Sequence, residues 1–237
     1  MENRGKVGYV IATIKSWNIK AAKRFNSRNS DVKVLLITDR KDLTYQKVKA
    51  FKPRYVFFPH WSWIIPPDIF ENLECVVFHM TDLPFGRGGS PLQNLIERGI
   101  YQTKISAIRV VEELDAGPVY LKRDLSLEDS AEEIFKRACR IIFADMIPYI
   151  IQNEPVPVPQ EGEIVKFERR TPEQSNIANL SSLTKVYDYI RMLDAEGYPP
   201  AFVETPELKI ELSNAKLQKD CVLAKTRIKA KKCVTEF

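Results

Sequence analysis

Val76-Val77-Phe78-His79-Met80-Thr81-Asp82-Leu83-Pro84-Phe85-Gly86-Arg87-Gly88-Gly89-Ser90-Pro91 runs from an apolar stretch into a loop with three glycines, and one of the chain's two histidines stands at the junction. The unbroken apolar run within Glu74 to His79 is that of a strand buried on both faces. Upstream, Lys6 to Thr13, Val32 to Thr38 and Arg54 to Phe58 repeat the pattern. Between them lie Trp17, Ile19, Ala21, Ala22 and Phe25 at helical spacing after an N-cap at Ser16, and a polar helix from about Leu43 to Phe51. Strands alternating with helices predict an α/β fold with a Rossmann-like, doubly wound, mainly parallel sheet. Ligands of such sheets sit beyond the carboxyl ends of the strands, which is where His79 falls. Gly8 is the only glycine between Lys6 and Trp17, so a dinucleotide fingerprint between first strand and first helix is missing.

Downstream, Ser90 to Arg98 reads as a short helix opened by Ser90-Pro91, and Ile105 to Val111 as another strand. That strand leads into Glu112-Glu113-Leu114-Asp115-Ala116-Gly117-Pro118, a turn whose Asp115 follows His79 by 36 residues and is suited to orient or charge it. Asp129 to Asn153 has the pattern of one long amphipathic helix, with Ile134, Ala138, Ile141, Ile142 and Ala144 on its buried face. Prolines at alternate positions in Glu154-Pro155-Val156-Pro157-Val158-Pro159-Gln160 then enforce an extended connector. A boundary near 160 divides a catalytic domain, residues 1–160, from a small carboxyl-terminal α+β subdomain, residues 161–237, with a helix at Leu183 to Leu193 and several short β-like runs.

Hydrophobic residues at 44% and charged residues at 28% of 237 exclude a mainly disordered chain. No apolar run is long enough to span a membrane, and Met1 to Lys6 leads into a strand and not a signal-peptide core, so a cytoplasmic protein is expected. Cys75, Cys139, Cys221 and Cys233 show neither Cys-x-x-Cys spacing nor a disulfide framework; reduced thiols and no metal site are expected. The formal charge of +5 resides in Lys216 to Phe237, where Lys216, Lys219, Lys225, Arg227, Lys229, Lys231 and Lys232 stand against Asp220 and Glu236. Because Val222 to Lys231 alternates like a strand with one solvated basic face, nucleic acid is not the expected partner.

The loop after His79 and the Leu114-Asp115-Ala116-Gly117 turn resemble the folate-dependent formyltransferases, whose catalytic loop reads Asn-x-His before a Leu-Pro, Gly-rich stretch and whose catalytic aspartate sits in Leu-Asp-x-Gly. Arg169-Arg170-Thr171-Pro172-Glu173-Gln174-Ser175 and Ile190 to Phe202 resemble the branch acting on nucleotide-linked amino sugars. The resemblance implies transfer of a formyl group from 10-formyltetrahydrofolate to the amine of a UDP- or dTDP-linked amino sugar, for surface polysaccharide or a related glycan. Methionyl-tRNA formylation is the rival reading, held back by the short segment after 160; formylation of a carrier-bound aminoacyl group is another. A catalytically silent folate- or nucleotide-binding protein is the alternative outside enzymology.

The resemblance assigns catalysis to His79 and Asp115. One position departs from it, since the family's asparagine falls on Val77, which has no hydrogen-bonding group. Gln93, Asn94, His60, Ser62 and the backbone amides near Gly88 and Gly89 are the candidate replacements. Trp63, Ile64 and Ile65, in the aromatic loop after the third strand, are expected beside the pterin, with Gly117 also at the cofactor. Trp17 and Asn18 at a helix amino terminus, Arg87 and Gly88 in the glycine-rich loop, and Arg169 and Arg170 are expected at the substrate.

Overall fold

The computed structural model describes residues 6–231; the readings made on Met1 to Gly5 and on Lys232 and Cys233 lie outside the described residues. In chain order the elements are β1 (Val7–Ala12), α1 (Ser16–Arg28), β2 (Val32–Ile37), α2 (Tyr45–Phe51), β3 (Pro53–Phe58), α3 (Pro67–Phe70), β4 (Cys75–His79) and β5 (Phe85–Gly88). There follow α4 (Pro91–Glu97), β6 (Gln102–Arg109), β7 (Val119–Ser126), α5 (Ala131–Ile141), α6 (Ile147–Asn153) and β8 (Val165–Phe167). The chain continues through α7 (Leu183–Arg191), β9 (Ala201–Glu204), β10 (Leu208–Leu217) and β11 (Val222–Ala230).

The chain divides into two compact units, the first made of the described residues of Met1–Gly88, Thr103–Leu125 and Lys136–Lys166. Its centre is a six-stranded sheet in the order β2-β1-β3-β4-β6-β7. β1 runs parallel to β2 and β3, and β3 to β4, while β6 is antiparallel to β4. This is the expected Rossmann-like, mainly parallel layer. Tyr9 to Ala12 and Tyr55 to Phe58 are buried along their whole length, as strands covered on both faces must be. Val10, Ala12, Val56, Phe58 and Cys75 pack with Ile37, Leu43, Val48 and Ile69 into one core, each large aliphatic or aromatic side chain contributing about 1.5–3 kcal/mol when fully buried. Burial also pushes the Cys75 thiol up to about 12 and that of Cys139 up to about 11, so both remain protonated and inert at neutral pH.

Two local expectations are corrected. Ser16 is the first residue of α1, not its cap; Lys15 holds the cap position, with no capping hydrogen bond from its side chain. The single helix expected over Asp129 to Asn153 runs helical from Ala131 to Asn153 but not as a uniform α-helix, with a wide turn at Ile142–Met146 between α5 and α6. Pro148, in the first turn of α6, lacks an amide hydrogen, and a wide turn ahead of it accommodates the interrupted ladder.

The second unit comprises the described residues of Gly89–Gln102, Ser126–Phe135 and Phe167–Phe237, so it takes in two stretches that precede the connector. A three-stranded antiparallel sheet, β11-β10-β9, accompanies α4 and α7. Leu92, Leu95, Ile96, Phe167, Ile190, Met192, Leu193, Ala201 and Phe202 are among its buried apolar residues. Arg191 is buried among them and fully engaged: Nε donates to Asp188 Oδ1 at 2.7 Å, and Nη1 to the carbonyls of Leu127 and Asp129 at 2.5 and 2.8 Å. Asp188 also accepts from Tyr101 at 2.7 Å, and a buried pair is tolerable only with such partners.

Candidate active site

The parallel register of β3 and β4, with Phe58 opposite Val77, brings the loop after β3 and His79 at the end of β4 to the same carboxyl edge of the sheet. His79 is about nine-tenths buried. Its Nε2 lies 2.8 Å from the Gly86 carbonyl, and its Nδ1 lies 3.5 Å from Asp115 Oδ1. Each ring nitrogen therefore faces an acceptor. A neutral imidazole has one N–H and can donate to only one of them, whereas the protonated ring satisfies both.

Asp115 adopts φ 55°, a left-handed conformation that aspartate enters at lower cost than most residues. Its Oδ2 accepts the Gly88 amide at 2.9 Å. Gly88 has φ 110°, which only glycine takes readily, so this glycine is required to aim its N–H at the carboxylate. The Gly88 amide, expected at the substrate, is therefore spent on Asp115. Below the loop, Ser106 Oγ donates to Thr81 O at 2.7 Å and accepts the Leu83 amide at 3.3 Å, pinning the chain as it leaves His79.

Arg87 corrects a second expectation. Its side chain is buried, with Nε and Nη2 donating to Gln160 Oε1 at 3.0 and 2.9 Å and Nη1 lying 3.6 Å from Glu113, so it braces the loop and does not present a free fork to a phosphate. The Gln160 Nε2 in turn donates to the carbonyls of Asp115 and Gly117, both at 2.8 Å. Gly117, expected at the cofactor, has a structural reason to be glycine: a Cβ there would lie 1.8 Å from Arg109 O. Sequence reading missed Gln160, whose only signal was its place at the end of the proline-alternating connector.

On the same edge, Thr13 Oγ1 and Asn18 Nδ2 donate to Pro59 O at 2.6 and 3.2 Å, joining the ends of β1, α1 and β3. Asn18 is buried, and its Oδ1 has no hydrogen-bond partner among the described residues. Trp17 lies edge-on to His60, with ring centroids 6.2 Å apart. Burial, with Lys15 nearby, lowers the His60 pKa to about 4, so this ring is neutral at physiological pH. Beyond it Trp61 and Trp63 make a T-shaped pair at 5.0 Å, and Ile65 is buried while Ile64 is 74% exposed. Trp61 Nε1 is a buried donor without an acceptor among the described residues.

Most candidate replacements for the missing asparagine are committed elsewhere. Asn94 Nδ2 donates to the carbonyls of Gly89, Ser90 and Glu168, and Gln93 Nε2 to that of Met192, all within the second unit. The Gly89 amide goes to Phe167 O. Ser62 is exposed, and its hydroxyl makes no hydrogen bond among the described residues. Arg169 and Arg170 belong to the second unit. Arg170 pairs with Glu97 at 2.5 Å, donates to Gln174 O at 2.8 Å and packs over the Tyr189 ring, so it serves that unit's interior and not a substrate anion; Arg169 is exposed. A cavity of about 550 Å³ at the amino end of β4, lined by Phe70, Leu73, Glu74, Arg109, Val110 and Glu112, shares no residue with the His79 loop.

Residues 172–229 match the family described as the methionyl-tRNA formyltransferase C-terminal domain. A solved structure of a methionyl-tRNA formyltransferase from Clostridium thermocellum is 55% identical, with a TM-score of 0.94, covering 95% of this chain and 100% of that one. A methionyl-tRNA formyltransferase from Bacillus cytotoxicus is 29% identical over 165 residues, 65% of this chain and 52% of its own length, so the chain spans about half the length of the curated relatives it matches. A sugar N-formyltransferase from Shewanella aligns over 90% of the chain and 99% of its own, at TM-score 0.71 but 14% identity, a likeness of fold alone.

These findings overturn the assignment to the branch acting on nucleotide-linked amino sugars, and with it the expectations of a nucleotide-sugar substrate, of polysaccharide biosynthesis and of no nucleic-acid partner. The Ile190 to Phe202 segment that suggested that branch lies wholly inside the matched 172–229 region. Its Ile190, Met192, Leu193, Ala201 and Phe202 are core residues of the second unit, which marks a fold and not a substrate. Among the described residues, no helix is long and apolar enough to cross a membrane.

Proposed function

The chain belongs to the methionyl-tRNA formyltransferase family, and we propose that it transfers a formyl group from 10-formyltetrahydrofolate to the α-amine of methionyl-tRNA in the cytoplasm. The observation that carries the reading is the His79–Asp115 pair, held at the carboxyl edge of the sheet in a chain so close to a methionyl-tRNA formyltransferase over its length. The transfer forms a nitrogen–carbon bond to the amine, breaks the one to folate and moves a proton from the amine to the departing folate nitrogen. It requires no metal. The folate co-substrate supplies the formyl group. His79 accepts the amine proton and returns it, and Asp115 beside Nδ1 holds the ring in place and offsets its charge while the proton is carried.

The loop after β3 fits a pterin. Trp63 and Ile64 offer exposed apolar surface, and Trp61 Nε1 and Asn18 Oδ1 on the same edge are an unspent donor and an unspent acceptor. For the RNA, Lys225 and Arg227 stand exposed on one face of β11 inside the region that matches the family's C-terminal domain. The test is incubation with 10-formyltetrahydrofolate and methionyl-tRNA, with unacylated tRNA as control, followed by hydrolysis of the ester and mass spectrometry. Formylmethionine is expected. Its absence, with folate turned over on another amine, refutes the proposal.

A further inference from the structure

We propose that Gln160 is a positioning residue for the transfer, holding the Asp115 turn and the Arg87 loop in the arrangement that keeps both faces of His79 occupied. This rests on the formyl-transfer reading of the His79 site. The carboxamide spends all of its hydrogen-bonding capacity on two segments. Oε1 takes the Nε and Nη2 of Arg87 at 3.0 and 2.9 Å, and Nε2 gives one hydrogen to Asp115 O and one to Gly117 O, each at 2.8 Å. Those contacts fall next to every atom that addresses the histidine. Arg87 lies between Gly86, whose carbonyl faces Nε2, and Gly88, whose amide holds Asp115 Oδ2. Fixing the carbonyls of Asp115 and Gly117 fixes the 115–116 and 117–118 peptide planes, the first of which sets the left-handed backbone that turns the Asp115 carboxylate toward Nδ1.

The connector that delivers Gln160 is itself held. Val158 and Val119 exchange both backbone hydrogen bonds, at 2.7 and 2.9 Å. Pro155, Pro157 and Pro159 fix their own φ angles, and Pro157 and Pro159 restrict Val156 and Val158 to extended conformations, so the connector beyond the left-handed Glu154 has little freedom to lose in reaching the turn. What composition marks as a linker is, at its last residue, part of the machinery around the aspartate.

The proposal is tested with Gln160→Ala and Gln160→Glu in the full chain. The glutamate variant keeps the shape and the acceptor for Arg87 but removes both N–H donors and sets a carboxylate against two carbonyl oxygens. If Gln160 only fills space, it should behave as wild type. The chain has two histidines, so ¹⁵N-histidine labelling gives two sets of ring signals, with His60, on the loop after β3, as internal reference. In both variants the His79 ring signals and their pH dependence are expected to change while those of His60 do not. With methionyl-tRNA and 10-formyltetrahydrofolate, kcat should fall by about a hundredfold, the cost of a misplacement near 1 Å, with KM for the tRNA unchanged. In the Gln160→Glu background, Asp115→Asn should cost far less than in wild type, because residues acting as one unit are not additive.

Unmoved His79 signals in a folded Gln160→Glu protein would overturn the proposal, as would full kcat in that variant. Loss of the folded state in both variants would overturn it too, since Gln160 would then hold the fold and not the aspartate. Should the wild type fail to formylate methionyl-tRNA, the functional reading falls while the His79 signals still decide the coupling to Gln160.

Discussion

Replacing Gly117 with alanine separates a backbone requirement from a contact with cofactor. A Cβ at 117 would stand 1.8 Å from Arg109 O, against about 3.3 Å for a close carbon–oxygen approach, so the two chains must part by about 1.5 Å. Neither side yields easily. The Arg109 amide donates to Pro118 O at 2.9 Å, its guanidinium is on Glu74 at 2.5 Å, and the residue is in register with Val76 of β4. On the other side the Gly117 carbonyl is held by Gln160. Overpacking against movable side chains costs about 1–3 kcal/mol, and here the obstacle is backbone, so Gly117→Ala should cost about 3 kcal/mol or more. For a chain of this size that is a fall in Tm of about 6–12 °C, measured by thermal unfolding followed by circular dichroism. Activity should fall in parallel, because the displaced turn carries Asp115. A variant that melts with the wild type but binds folate less tightly would refute the steric argument and return Gly117 to the cofactor.

Asp115→Asn keeps an oxygen for the Gly88 amide and removes the charge beside His79; kcat should drop by about 10²–10⁴ with Tm nearly unchanged, and His79→Asn should match it, both read by formylmethionine release. His60 is neutral in the folded state down to about pH 4 but titrates near 6.5 when unfolded, so protons favour the unfolded chain between those values. Stability should therefore fall as pH is lowered from 6.5 to 4, by about 2 kcal/mol given the ring's partial solvent contact, and His60→Asn, which suits the left-handed φ of 55°, should remove that slope in urea titrations. Changing Lys225 and Arg227 to glutamate should weaken tRNA binding and flatten its dependence on log salt by about 1.5, the share of two phosphate contacts; an unchanged slope would place the RNA elsewhere.

The sheet was legible because burial on both faces leaves a plain mark. Val10-Ile11-Ala12, Tyr55 to Phe58 and Cys75 to Phe78 are unbroken apolar runs, and a strand covered on both faces calls for such a sequence. The wide turn at Ile142–Met146 was not legible from amphipathic period; it displaces the buried face, so that Ala144, expected on that face, is exposed, and Pro148 was the available sign. The second unit was hidden for a different reason. It gathers 89–102 and 126–135 with the segment after 167, and assembly from separated stretches leaves no local signal in composition.

In the site, sequence reading anticipated neighbours where the contact is local and misplaced side chains where geometry is shared between distant segments. His79 and Asp115 meet as expected, because a strand end and a tight turn leave each carboxyl-edge residue little choice of direction. Arg87 looked like an anion fork because a glycine-rich loop commonly holds phosphate, yet its donors are taken by a glutamine 73 residues away, a pairing that no pattern within the loop can announce. The substrate was misread by the same mechanism. Arg170, Thr171 and Gln174 form a capping arrangement at the start of a short turn, and Arg170 continues to Glu97 and Tyr189. A motif spent on holding the second unit together reports architecture and carries no weight between an amino sugar and an aminoacyl-tRNA. What discriminates them physically is an extended phosphate backbone, which needs solvent-facing cations. Lys225 and Arg227, read from sequence as merely solvated, are where that distinction has to be measured.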